Sequence, residues 1–100
     1  MPRLLRANEV RKKLDRLNGW KYQGRFITKT FVFEEFMDGI SFLNRVAKVA
    51  ESQQHHPDIR IRYTSVKLSI QTHSEGGVTN WDIGLAKAID KIKTRILSGD

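Results

Sequence analysis

The chain contains no cysteine, so disulfide staples and thiolate chemistry are both excluded, and the fold must rest on packing, with or without oligomerisation. No apolar run approaches the ~18 residues that a membrane-spanning helix requires. The opening MPRLLRANEVRKKL turns polar again after Leu5, leaving no apolar core for a signal peptide, so a cytoplasmic protein with no membrane association is expected. P-loop, Gly-x-Gly-x-x-Gly and Gly-x-Ser-x-Gly patterns are all missing, which removes the usual nucleotide-binding and hydrolase readings. There is no repeat, linker or low-complexity segment. One domain over residues 1–100 is the expectation, since this length suits a single core.

What is present is an ordinary globular composition, 39% apolar and 29% charged, with a net charge of +7. The positive balance favours anionic partners in general. It is spread along the chain, however, with no block of five like charges, so solvated faces account for it and nucleic acid is not the expected partner.

Periodicity predicts the order α-β-β-α-β-β-α. A helix over Glu9 to Leu17 follows from Val10, Leu14 and Leu17, and Asn18-Gly19 stops it. Trp20 to Phe33 reads as a hairpin turning at Gly24. Glu34 and Glu35 suit a first helical turn, and two apolar stripes follow: Phe36, Ile40, Leu43, Ala47 and Ala50, then Phe42, Val46 and Val49. So wide an arc requires sheet on one flank and another helix or subunit on the other. The residue before Pro57 resists the α region, so this helix ends near His56. Ile59, Ile61 and Tyr63, then Val66, Leu68, Ile70 and Thr72, alternate with polar residues and predict two strands around Thr64-Ser65. Thr79-Asn80-Trp81-Asp82 fits a capping pattern, and Trp81, Leu85, Ala88, Ile89, Ile92 and Ile96 carry a last helix to about Leu97. The fold class is α+β: a four-stranded antiparallel sheet with three helices packed on one face.

All three histidines, His55, His56 and His73, fall between Glu51 and Asp82. Imidazole titrates nearest neutral pH, so a site needing both a proton donor and a proton acceptor is most simply built from several. Glu51 and His55 share a helical face if the helix persists, and His73 ends a strand that can overhang that helix end. A rim pocket there would let His55 and His73 face each other across a small substrate. Each residue also has a plain structural role: histidine at a helix terminus, Glu51 in solvent, Asp82 as the partner of the Thr79 cap. Zinc is disfavoured because adjacent histidines rarely meet one ion and no His-Glu-x-x-His pattern occurs.

Glu51, three residues, His55-His56-Pro57, five residues, Tyr63, nine residues, His73, eight residues and Asp82 resembles the signature of the pterin-4a-carbinolamine dehydratase family, also known as dimerisation cofactor of a homeodomain transcription factor. Gly19-Trp20, Phe31-Val32-Phe33 and the phenylalanine-bearing helix extend the resemblance to nearly the whole chain. It implies the same element order, a homo-dimer or homo-tetramer, and a 4a-hydroxytetrahydrobiopterin dehydratase, a hydro-lyase that recycles the pterin spent by an aromatic amino acid hydroxylase. It also implies that His55 and His73 exchange protons with the substrate, His56 orients it, and Asp82 fixes a histidine tautomer or the ligand. Gln54, Gln71 and Thr72 would contact the ring edge and Trp20 would wall the pocket. Glu51, Pro57 and Tyr63 would be scaffold. No metal or redox cofactor is implied. Gln54 departs from the acidic residue that animal members often carry there. The other reading is a non-catalytic dimerisation module or transcriptional cofactor on the same fold.

Overall fold

The computed structural model describes residues 2–93 and 98–99. Its elements are α1 (Ala7–Leu14), β1 (Lys21–Tyr22), β2 (Ile27–Val32), α2 (Phe36–Gln53), β3 (Asp58–Arg62), β4 (Ser65–Ile70), α3 (Asn80–Asp90) and β5 (Ser98–Gly99). The expected α-β-β-α-β-β-α order is therefore present. The strands form an antiparallel sheet in the order β1-β2-β4-β3, and the two residues of β5, which were not expected, pair with Phe31 and Val32 of β2.

Alternation decides which residues meet. Ile27, Lys29 and Phe31 of β2 stand opposite Ile70, Leu68 and Val66 of β4, and all six are buried on the helix-covered face. A lysine there needs a partner: Lys29 Nζ lies 3.0 Å from Asp90 Oδ1. Thr30, Lys67 and Arg60 line up on the opposite, open face.

Of the two stripes on α2, Phe42 and Val46 of the second face the core together with Ala50 from the end of the first, and Val49 is only partly buried. Gly39, Phe42, Val46 and Ala50 are buried, with Phe42 between Phe31 (ring centroids 4.7 Å) and Phe33 (5.3 Å). Burying such a ring contributes about 2–3 kcal/mol. The first stripe stays partly exposed, Phe36 at 42%, so the outer flank of α2 has the uncovered apolar surface that the wide arc implied. Ile59 and Ile61 share the helix side of the sheet with Leu68 and Val66, their partners in β4. They remain 44% and 39% exposed, because β3 is the edge strand and the helices do not reach over it.

Helix boundaries shift from those expected. Arg6 is the N-cap of α1, where its N–H donates to Glu9 Oε1 (2.9 Å), so the helix starts before Asn8 and stops at Leu14. Glu35 caps α2, leaving Glu34 and Glu35 outside the first turn. α3 ends at Asp90, since Lys91 N–H and Ile92 N–H bond three residues back, to Ala88 and Ile89, and tighten the chain out of α geometry. Ile96 and Leu97, where that helix was expected to end, lie outside the described residues. No helix among the described residues is long and apolar enough to cross a membrane.

Candidate active site

The C-terminus of α2 is closed by Gln54 in the left-handed region (φ 51°, ψ 40°). His55 N–H reaches Ala50 O (3.1 Å) and Gln54 N–H reaches Glu51 O (3.2 Å), the two bonds of a Schellman motif. A residue that normally needs glycine is thus held by Gln54, whose side chain adds a 2.8 Å bond to Glu51 O. The helix has ended before His55, so Glu51 and His55 do not pair along one helical face as expected. Glu51 bonds His56 instead, on the surface, and the two adjacent histidines turn to different carboxylates.

His55 turns inward. Its Nε2 donates to Asp82 Oδ1 over 2.5 Å, and the Asp82 side chain is fully buried. The other oxygen of Asp82 accepts from Thr72 Oγ1 and from Thr79 N–H, each at 2.8 Å. Three donors converge on one carboxylate, which is how an ionised buried carboxylate is satisfied. Thr79 Oγ1 contacts Thr72 Oγ1 (2.8 Å) and accepts from Trp81 N–H (3.1 Å), so the cap of α3 and the end of β4 form one polar network. The structural role of Asp82 as a capping residue and its role in the site are the same set of bonds. In the tautomer of His55 whose Nε2 carries the proton toward Asp82, Nδ1 keeps the lone pair.

His55, Gln53, Gln54, Asn80, Trp81 and Gly84 line a cavity of about 490 Å³, a size suited to a small organic molecule. Trp81 stands edge-on to His55 with ring centroids 6.0 Å apart and is 51% exposed. The expected residues divide as follows. Gln54 and His55 line the cavity, while Thr72 and Asp82 hold His55 from behind. His73 lies in the 3-10 turn His73–Glu75, next in the chain to Thr72, exposed and without a side-chain partner among the described residues. His56 is on the surface with Glu51, and Gln71 lines a separate depression on the open face of the sheet with Arg60 and Lys67.

Trp20 requires a correction. It is buried at 4% exposure, its indole N–H donates to both oxygens of Asp90 (3.1 and 3.0 Å), and it does not line this cavity. A buried indole needs an acceptor, and Asp90 supplies one at the far end of α3, roughly 14 Å along the axis from Trp81 at ~1.5 Å per residue. The aromatic residue lining the cavity is Trp81, which the apolar periodicity counts among the residues that carry the last helix. The available signal was register: with Asp82 facing inward as cap partner, Ile83, Leu85, Ala86 and Ile89 form the buried arc of α3, and Trp81 and Gly84 fall outside it.

The fold and this pocket define a small α+β protein with an imidazole in a cavity wall, backed by a buried carboxylate. Residues 3–92 match the family model described as Pterin 4 alpha carbinolamine dehydratase. A Sulfurisphaera tokodaii protein named "Putative pterin-4-alpha-carbinolamine dehydratase" is 42% identical over 90 residues, covering 90% of this chain and 97% of that protein. A Roseiflexus castenholzii protein of the same name is 46% identical over 92 residues, covering 92% and 99%. Among solved structures, the transcriptional coactivator/pterin dehydratase of Brucella melitensis superposes with a TM-score of 0.84 at 36% identity, covering 88% of this chain and 96% of that one. A pterin dehydratase-like RuBisCO assembly factor of the alpha-carboxysome shares the fold, with a TM-score of 0.63 at 24% identity. The chain belongs to the pterin-4a-carbinolamine dehydratase family, and with it to the hydro-lyases.

Proposed function

We propose that the protein dehydrates 4a-hydroxytetrahydropterin to the quinonoid dihydropterin, in the recycling of tetrahydrobiopterin, with His55 and His73 as the proton-handling pair. The reaction needs one proton delivered to the 4a-hydroxyl and one removed from a ring N–H. The C–O bond breaks, water leaves, and the nitrogen electron pair forms the C=N bond, with no net change in protons. One positioned donor and one positioned acceptor suffice. The observation that carries the reading is the Asp82 carboxylate, which takes a bond from His55 at the end of α2 and another from Thr72 beside His73. That shared anchor supports convergence of the two histidines on one ligand, with the His55 Nδ1 lone pair as acceptor. Trp81 offers an aromatic edge for the pterin ring and Gln54 a polar contact, while Thr72, buried behind His55, acts through Asp82, and His56 would orient the substrate from the surface. Gln71 and Trp20, which lie away from the cavity, are left out of the binding set.

Assembly into a homo-dimer or homo-tetramer in the cytoplasm belongs to the same proposal. It is supported by the exposed Ile59 and Ile61 of edge strand β3 and by the uncovered stripe on α2. The test is to follow quinonoid product from 4a-hydroxytetrahydropterin against the spontaneous background, with wild type and His73→Ala. Acceleration over background that is mostly lost in His73→Ala is expected. A folded, pterin-binding protein that leaves the background rate unchanged refutes the activity.

A further inference from the structure

Beside the His55 cavity lies a second and larger one, of about 750 Å³, between α1 and α3. One wall is Glu9, Lys12 and Lys13 of α1 with Arg16 from the turn after it, and the other is Asn80, Ile83, Gly84 and Lys87, at i, i+3, i+4, i+7 on one face of α3. Leu5 N–H bonds Val78 O (2.9 Å), tying the segment before α1 to the loop before α3 and keeping the two walls together.

The walls are cationic and uncommitted. None of the side chains of Lys12, Lys13, Arg16 and Lys87 has a hydrogen-bond or ion-pair partner among the described residues. The one acid present, Glu9, is already engaged by the Arg3 guanidinium through two bonds of 3.0 and 2.9 Å and by Arg6 N–H. Four cations facing one groove raise the potential there and favour a multiply charged anion over a single carboxylate. Asn80 and Gly84 line both this groove and the His55 cavity, so the two adjoin across one ridge of α3. Gly84 has no packing reason to be glycine, because a Cβ built there meets no atom within 4 Å and a helix interior prefers alanine. Its missing side chain keeps the ridge between the two cavities low.

We infer that this groove is a phosphate subsite for the side chain of the pterin whose ring lies beside His55, so that a pterin with a phosphorylated side chain binds more tightly than biopterin, whose side chain carries no phosphate. The inference rests on the pterin reading above and adds the substrate class. A nucleic acid would also answer the charge, but it would not explain a groove that adjoins the histidine cavity across Asn80 and Gly84.

The test titrates the full-length protein with 7,8-dihydroneopterin and with its triphosphate, which share ring and carbon side chain, at low and high salt, and repeats both with the Lys12→Gln/Lys87→Gln variant. The expected result is an affinity about tenfold or more higher for the triphosphate at low salt, falling as salt screens the groove and lost in the variant, with dihydroneopterin unaffected. Inorganic tripolyphosphate should displace the phosphorylated pterin and not the unphosphorylated one. Equal affinity for the two pterins, or an advantage that survives the double substitution, overturns the subsite and leaves the pterin reading standing. Binding of neither pterin refutes both. A single-stranded RNA oligonucleotide that outcompetes tripolyphosphate in the groove without disturbing bound dihydroneopterin identifies a nucleic-acid surface and also overturns the subsite.

Discussion

Replacing Asp82 by Asn tests the histidine–carboxylate network with the smallest change in shape. The buried carboxylate accepts three bonds, from His55 Nε2, Thr72 Oγ1 and Thr79 N–H. An amide can accept on one side only. Its oxygen must face Thr72 and Thr79, because the backbone N–H of Thr79 can only donate, and its NH₂ then points at His55. His55 can meet it by moving its proton to Nδ1 and accepting at Nε2. The fold keeps all three contacts, now neutral, at a cost of about 1 kcal/mol each, or about 3 kcal/mol in all. Catalysis loses the Nδ1 lone pair, and a positioned acid or base contributes about 10²–10⁴-fold to rate. Asp82→Ala is less informative, since it strands three buried donors at about 1–3 kcal/mol each, within reach of the whole stability of a small domain. The expected outcome for Asp82→Asn is a folded protein that still binds pterin, with a rate about 10²–10⁴-fold lower and the His55 imidazole nitrogens exchanged in their ¹⁵N shifts. A variant with unchanged rate, or one in which His55 keeps its proton on Nε2, would show that this carboxylate does not select the working tautomer.

Three further outcomes follow from single contacts. Glu9 is held at about 2, below its ordinary 4.5, first by the hydrogen bond from Arg3 and then by that from Arg6 N–H. Its contribution to folding is therefore full above pH 4.5 and lost as pH falls through about 2; in denaturant melts the gap between wild type and Glu9→Gln should close over that window. Gln54→Gly relieves a left-handed backbone at a helix end and should raise stability by about 0.5–1 kcal/mol, a thermal midpoint roughly 2–8 °C higher, while weakening pterin binding at the cavity that Gln54 lines. An unchanged or lower midpoint would mean that the Gln54 bond to Glu51 outweighs the backbone gain. Ile61→Lys on edge strand β3 should shift the protein to monomer in sedimentation with little change in the far-ultraviolet spectrum; an unaltered assembly would direct attention to the outer stripe of α2.

Most of the architecture was legible because its signals are local. Period-two alternation identified β3 and β4, the density of β-branched and aromatic residues from Phe26 to Phe33 identified β2, the apolar stripes identified α2, and the Thr79–Asp82 spacing identified the start of α3. The misplacements share one cause. Apolar periodicity states that a residue has an apolar face, not what will cover it. Ile59 and Ile61 carry the same pattern as Val66 and Leu68, yet half-exposure follows from their position on the outermost strand. Trp20 and Trp81 are indistinguishable as aromatic residues at element starts, and only the placement of Asp90 and Asp82 on α3 draws one into the core and leaves the other beside His55.

The sequence by itself determined the element order and the concentration of imidazoles on which the proposed chemistry draws, because helix caps, turn residues and alternation act within a few neighbours and imidazole chemistry is intrinsic to the side chain. Tertiary structure alone decided that Glu51 serves His56 while Asp82 serves His55, that Trp81 lines the cavity beside His55, and that a cationic groove adjoins that cavity across Asn80 and Gly84. Those outcomes depend on contacts between residues tens of positions apart, where the free energy of a buried carboxylate or indole is set by the partner that packing brings within hydrogen-bond reach.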